Sequence, residues 1–510
     1  MKFKRNNGLL LAVVSVFLLT AMLLTVVACS NIDSKKSATK TAAENNSDPI
    51  TSTNDPSDTE MSRENIPDKL PEDLDYEGAT VNMYCRDNWA GEFYAENYDN
   101  EIVNDALYER KEAVETRLKV VLKVTAIGDN YKSAETIKNI ALSGSNECDI
   151  SSIRMYEAYG LILDKVFKNL HETQYIDFKA PWWSQGLIKA STVGNDKLYL
   201  LIGSIATSSI SRMQGVFFNK GVYEKYISTN PDELYQTVID RKWTLDKLVS
   251  LSKQVHDDVN GDGQKDKGDI YGYGASPCAN QAASINGVEI QFSKFNQDGY
   301  PEFVLNNEHT VEAISKLYDV MWNNEGAYIT AASQTGLDEL TDKFRNGTLM
   351  FLNESVEDLA TYRELDDDYA ILPMPMLDED QGEYCTQVSE GASAFGVPAS
   401  AADPDMSSAV MEALAAEGYR KLIPKYYEEV LKCAYARDNY LAQMLDIMSS
   451  TVYFDFVFLY GAQFDNIGNF IPVNLLKKEN AGFASEYDKV DDMYKNKLDE
   501  IVAIYSKNNP

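Results

Sequence analysis

The chain has 510 residues, 44% of them hydrophobic and 11% aromatic, and a formal charge of −32. Such a composition buries a sizeable interior, which excludes a disordered chain, and the carboxylate excess makes nucleic acid a poor partner. The length also exceeds what one hydrophobic core supports, so two lobes or domains are expected.

Lys2, Lys4 and Arg5 open the sequence, an uncharged apolar run extends from Gly8 to Ala28, and Val26-Val27-Ala28-Cys29 closes it. This is an export-signal pattern, although the run is almost long enough to span a bilayer uncleaved. It resembles the signals of bacterial lipoproteins. The resemblance implies a signal peptide over residues 1–28, cleavage before Cys29, and lipid (palmitate among it) on the new terminus. More than one acyl chain gives stable anchoring, which places the mature chain on the extracellular face of the cytoplasmic membrane. Residues 29–75 are polar and lack apolar periodicity, and they read as a disordered tether with a reach of roughly 35–40 Å.

The folded part is predicted to begin with a strand over Ala79–Cys85, followed by a loop carrying Arg86, Asp87 and Trp89. A helix from about Glu101 to Arg117 puts Val103, Ala106, Leu107 and Val114 on one face, and a β-branched strand covers Leu118–Val124. A second helix runs from Ser133 to a glycine stop at Gly144, and a third strand spans Cys148–Ile153, ahead of Arg154, Tyr156 and Glu157. Strand, helix, strand, helix, strand at this spacing predicts an α/β lobe with a largely parallel sheet. Ligands in such sheets sit beyond the carboxyl ends of the strands. Further strands are expected at 197–202, 215–220, 270–274, 349–353, 368–372 and 394–398. Thr244 should cap an amphipathic helix, and Ser407 onward reads as mostly helical.

The most specific local motif is Asp258-Val-Asn260-Gly-Asp262-Gly263-Gln264-Lys-Asp266-Lys-Gly-Asp269. Oxygen-bearing side chains stand at loop positions 1, 3, 5, 9 and 12, a glycine at 6, and Gln264 offers its carbonyl at 7. That spacing wraps oxygens around one Ca²⁺ ion. Asp269 replaces the usual glutamate at position 12, and Lys265 stands where a helix-pairing aliphatic is expected. The loop therefore reads as a lone structural calcium site, or as a solvated Asp/Gly turn.

Other chemistry is hard to find. Cys85, Cys148, Cys278, Cys385 and Cys433 are widely spaced and odd in number, and no CxxC pair supports zinc or redox chemistry. His171, His256 and His309 fit no metal-binding helix pattern, and no nucleophile elbow or phosphate-binding loop occurs. A carboxylate pair for glycoside hydrolysis stays open, because 79 acids offer many pairs.

Taken together, the lipobox, Val103-Asn104-Asp105-Ala106-Leu107-Tyr108-Glu109-Arg110, Phe217-Phe218-Asn219-Lys220, Lys242-Trp243-Thr244, Gly347-Thr-Leu-Met-Phe351 and Ile371-Leu-Pro373-Met-Pro375 resemble the extracellular solute-binding proteins of ABC importers, in the sugar-binding class that includes maltose-binding proteins. The resemblance implies an α/β, two-lobed periplasmic-binding-protein-like (type II) fold with chain crossings at a hinge. Lobe 1 would use residues 76–205 and 381–425, and lobe 2 residues 206–380 and 426–510. It further implies a non-catalytic monomer that takes a carbohydrate, an oligosaccharide by preference, and hands it to ABC permease subunits. Contacts would come from Asp87 and Trp89, from Arg154, Tyr156 and Glu157, from Arg212, and from Asn353 and Glu354. Trp182, Trp183 and Tyr384 are further candidates. Aromatics would bury the flat face of a sugar while planar charged groups bind its hydroxyls. The alternative is a surface-anchored polysaccharide-degrading enzyme.

Overall fold

A computed structural model describes residues 62–277, 282–433 and 440–506. Cys29 and the signal lie outside the described residues, as do Cys278 and the carboxyl-terminal four residues.

The first sheet is built from β1 (Ala79–Cys85), β2 (Val120–Ala126) and β3 (Ile150–Arg154). β1 lies between the other two and is parallel to both, with Ala79 opposite Val120 and Met83 opposite Ile150. Its alternation is that of a strand with one face buried: Val81, Met83 and Cys85 point inward while Thr80 faces out. Two helices make the crossovers, α1 (Ile102–Leu118) and α2 (Asn130–Ser143). The Asp129 side chain caps α2, and Gly144 ends it at φ 72°, a left-handed stop that suits glycine. α3 (Met155–Leu163) follows β3 directly.

The second sheet is mixed. β4 (Gln214–Asn219) precedes α4 (Leu245–Ser252), which Thr244 caps by accepting from the Lys247 N–H. β5 (Ile270–Ala275) and β6 (Ala327–Ile329) come next, then α5 (Gln334–Arg345), β7 (Leu349–Ser355) and β8 (Tyr369–Leu372). The order is β8, β4, β7, β5, with β6 and a two-residue strand at His256–Asp257 also on β5. β7 is parallel to β5 and antiparallel to β4, where Phe351 faces Phe218. Trp243 is fully buried beneath this sheet, its indole donating to the Pro373 carbonyl.

The chain then returns to the first sheet as β9 (Ser393–Gly396), antiparallel to β3, and continues as α6 (Pro404–Glu417), α7 (Ile423–Cys433) and, near its end, α8 (Asp491–Ser506). The two sheets are joined by crossings that touch one another: the Ser389 N–H donates to the Arg212 carbonyl at 2.8 Å, and Met213 bridges Val388. At the start of the outward crossing Gly203 pairs with Trp183, where a Cβ would stand 2.1 Å from the Trp182 carbonyl oxygen, so only glycine fits. Asp455 fastens the carboxyl-terminal region, accepting from the Phe292, Ser293, Val457 and Phe458 N–H groups.

Two expectations need correction. The tether does not run to residue 75. Asp68, with 3% of its side chain exposed, is gripped by Arg117 and Arg420 at 2.7 and 2.8 Å, and Leu70 is buried in the first core. Replacing Asp68 by Ala is expected to cost about 2 kcal/mol, by leaving two half-buried guanidiniums short of a partner, and to make residues 62–75 cleavable by protease before the rest. Residues 197–202 are not a strand but an extended run with two isolated bridges, Val193 to Lys197 and Leu201 to Phe395. Its pairing partner is β9, nearly two hundred positions away, so its local composition could not define the ladder.

Candidate functional site

Arg86 is the first residue beyond β1, and it is 1% exposed. Its guanidinium donates to the Gly391 carbonyl at 2.6 Å, to the Ser393 hydroxyl at 3.3 Å and to the Asn130 side-chain oxygen at 3.2 Å. It is thereby locked where three strand ends of the first sheet meet. Asn88 sits at φ 64°, a left-handed turn that asparagine tolerates, and the chain doubles back to lay the Trp89 ring 4.0 Å from the Arg86 guanidinium. The Arg212 guanidinium, from the crossing just before β4, lies 4.6 Å from the same ring.

Carboxylates interleave with these cations. Arg212 pairs at 2.6 Å with Glu357, which follows β7 on the second sheet, so the pair joins the crossing to the second lobe. Glu92 accepts from the Ser393 hydroxyl at 2.6 Å and stands 3.9 Å from Arg86. Arg154 grips Glu157 with two donors, Nε at 2.7 Å, and lies 4.9 Å from the Tyr156 ring. Burial, reinforced by the neighbouring Arg212 and Arg154, draws Arg86 down to about 10, so it remains a cation at neutral pH. Burial also pushes Glu357 up to about 7 against the pull of Arg212, and it raises Glu92 and Glu390.

Beside this network lies a cavity of about 100 Å³ lined by Tyr156, Gln214, Gln387, Ser389, Glu390 and Asn466. The Tyr156 hydroxyl donates to the Asn466 side-chain oxygen. That volume holds a few waters.

The other sequence candidates have other surroundings. Asp87 is exposed, and its carboxylate accepts from the Gly128 N–H at 3.0 Å, tying the β1 loop to the end of β2. Asn353 is buried and donates to Ser284, while Glu354 accepts from Tyr362 and Thr341, partners that all belong to the second lobe. Burial and the adjacent Asp358 raise Glu354. Tyr384 is buried, with its hydroxyl on the Val238 carbonyl. Trp182 and Trp183 are each 2% exposed and donate their indole N–H groups to one carboxylate, Glu412 on α6, at 3.1 and 2.8 Å. They border a second cavity of about 380 Å³ together with Arg63, Tyr419, Tyr427 and Asp446. Thus Trp89 and Arg212 come together around Arg86, with Arg154, Tyr156 and Glu157 beside them; Asp87, Asn353, Tyr384 and the tryptophan pair stand apart, and Glu354 approaches only through Asp358, which lies in the field of Arg212. Sequence reasoning placed Arg86 in the loop after the first strand without counting it among the contacts, and it missed Glu92, Glu357 and Glu390. The signal for Arg86 and Glu357 was position, since both follow strand ends.

The architecture is thus two α/β lobes joined by touching crossings, with charged and aromatic groups at the strand ends between them. No known family profile and no curated protein matches the chain in sequence. Solved structures do match in fold. The GacH receptor of Streptomyces glaucescens, determined unliganded and with acarbose, aligns at TM-score 0.50 and 13% identity over 85% of this chain and 100% of its own. A cyclo/maltodextrin-binding protein complexed with maltotetraose aligns at 0.52 and 13%, over 84% and 96%. The galacto-N-biose/lacto-N-biose I-binding protein of an ABC transporter from Bifidobacterium longum gives 0.50 and 12%, over 81% and 97%. The chain is therefore similar in fold to the sugar-binding proteins of ABC transporters, and its two-lobed α/β class is that of these structures.

Proposed function

We propose that the chain is a lipid-anchored extracellular receptor of an ABC importer, which captures a carbohydrate between its lobes and delivers it unchanged to permease subunits. The observation that carries this reading is the Arg86–Trp89–Arg212–Glu357 assembly, in which side chains of the first sheet, the crossing and the second lobe converge. Planar guanidiniums held by carboxylates offer paired donors and acceptors for sugar hydroxyls, and aromatic edges beside them offer apolar contact. The three fold relatives described above were determined with acarbose, maltotetraose and lacto-N-biose bound, which supports a carbohydrate as the captured solute. In this reading lobe 1 comprises residues 76–205 and 381–425 with residues 62–75 docked on it, lobe 2 comprises 206–380 and 426–510, and the receptor acts as a monomer. Among the described residues no helix is long and apolar enough to cross a membrane; in this reading attachment is assigned to Cys29 by the lipobox pattern of the sequence.

Calorimetric titration of the purified chain against an oligosaccharide panel tests the reading. Stoichiometric binding with no product formed is the expected result, and turnover of the glycan would replace the receptor by a hydrolase. Trp89→Ala and Arg154→Ala are each expected to weaken that binding by about 10- to 100-fold, the loss of one charge-assisted or stacking contact, with folding retained. Unchanged affinity in both variants would move the site elsewhere. Cys29→Ala should abolish lipid labelling of cells expressing the chain.

A further inference from the structure

The segment between α4 and β5 carries none of the residues assigned above to the cleft, yet residues 258–269 are folded tightly by their own side chains. Asp258 accepts from the Gly261 and Gly263 N–H groups at 2.7 and 2.8 Å, Asn260 from Asp262 at 2.9 Å, and Asp262 from Gln264 at 2.7 Å. Gly261 and Gly263 take φ 73° and 71°, a left-handed conformation that glycine adopts without strain. The amide nitrogen of Asn260 faces two carboxylates at once, Asp262 at 3.1 Å and Asp266 at 3.4 Å. A weak donor thus stands where two anions converge.

An independent observation points the same way. Asp269 is fully buried. Its Oδ2 accepts from the Asp266 N–H and the Tyr271 hydroxyl, both at 3.2 Å, and the Val259 amide at the loop's entry also faces this carboxylate. No donor within normal hydrogen-bond geometry reaches its Oδ1. A buried carboxylate oxygen without a donor is costly unless a cation satisfies it. Among the described residues no three His, Cys, Asp or Glu side chains already stand together as a metal set. An ion here would draw in the amide oxygen of Asn260 and a backbone carbonyl along with the carboxylates.

We propose that this loop binds one calcium ion through Asp258, Asn260, Asp262, the Gln264 carbonyl, Asp266 and Asp269. The donors are all oxygens and come from a flexible loop, which suits calcium better than magnesium, with its demand for near-ideal octahedral geometry, or zinc, with its preference for nitrogen and sulfur. The short Asp269 at the last position offers a weaker grip than glutamate, so the affinity falls in the range of about 10⁻⁴–10⁻³ M that serves extracellular modules. The ion would secure the second lobe. The Tyr271 hydroxyl binds the Asp266 carbonyl at 3.0 Å, and the buried Lys343 ammonium on α5 donates to the Lys267 and Asp269 carbonyls at 3.0 and 2.7 Å. Order imposed on the loop therefore reaches β5 and α5.

The experiment is a titration of the full chain with CaCl₂, read by thermal melting and by terbium luminescence excited through Tyr271. Calcium is expected to raise the melting temperature, terbium emission to saturate and be displaced by calcium, and Asp262→Ala to lose both responses while solute affinity stays within twofold. Identical melting in calcium and EDTA with no terbium emission would overturn the proposal, as would an equal response to magnesium at the same concentration. The wild-type titrations decide the matter even if the variant fails to fold.

Discussion

Arg110→Met is expected to destabilise the protein by about 3–5 kcal/mol, because the substitution strands several buried acceptors at once. The Arg110 side chain is 1% exposed and reaches four backbone carbonyls: Phe93 in the loop after β1, Ser204 at 3.4 Å and Ile205 at 2.8 Å in the outward crossing, and Leu414 at 3.3 Å near the end of α6. Burial pulls its ionisation down to about 9, and Glu417 offsets only part of that, so the group is still charged at neutral pH. Methionine fills the same space without a donor. Lysine restores a charge but not the planar fork, so Arg110→Lys should recover only part of the loss. Urea unfolding at constant slope measures both, and an unchanged midpoint in Arg110→Met would show that these carbonyls find other donors. Because Ser204 and Ile205 begin the crossing, the variant should also weaken the solute binding proposed above.

Arg110 also shows what a sequence can and cannot carry. The helix around it is legible from local spacing, since Ala106, Leu107 and Val114 fall on its buried face. The same local rules find β1 by alternation, the Thr244 cap, and the glycine that stops α2. What Arg110 does is not local, because its acceptors lie up to 304 positions away. The candidate site divides in the same way. Trp89, Arg154 and Arg212 can be picked by position, because loops after strands of a parallel sheet face a common edge. That Arg212 meets Glu357, and that both Trp182 and Trp183 turn to Glu412, depends on tertiary closure, for which a tryptophan pair in sequence carries no sign. The docking of residues 62–75 was hidden for the same reason, since Asp68 reads as one more acid in a polar stretch until Arg420, 352 positions on, is beside it.

Glu412 sets a second large expectation, a loss of stability as pH rises from about 5 to 7.5. Burial raises its carboxyl to about 7 in spite of the two indole donors and the Asp177 N–H, and the nearby Asp177 carboxylate adds to the rise. In the unfolded chain a glutamate releases its proton near 4.5, so between 4.5 and 7 the folded state holds a proton that the unfolded state has lost. Stability must fall across that window and level off above it. A difference of this size corresponds to about 3 kcal/mol. Glu357, raised to about 7, acts in the same direction but more weakly, because a third of its side chain meets solvent that screens it, and Glu354 adds to the trend. Asp68 opposes it at the acid end. Although burial raises it, its two arginines bring it down to about 2, so its contribution is complete above about pH 4 and disappears as pH falls toward 2. The stability maximum is therefore expected near pH 4–5, on the acid side of neutrality. Glu412→Gln keeps one acceptor for the indoles but cannot ionise. Its urea midpoint should change much less than that of the wild type between pH 5 and 7.5, and if the two decline in parallel, the slope comes from other carboxyls.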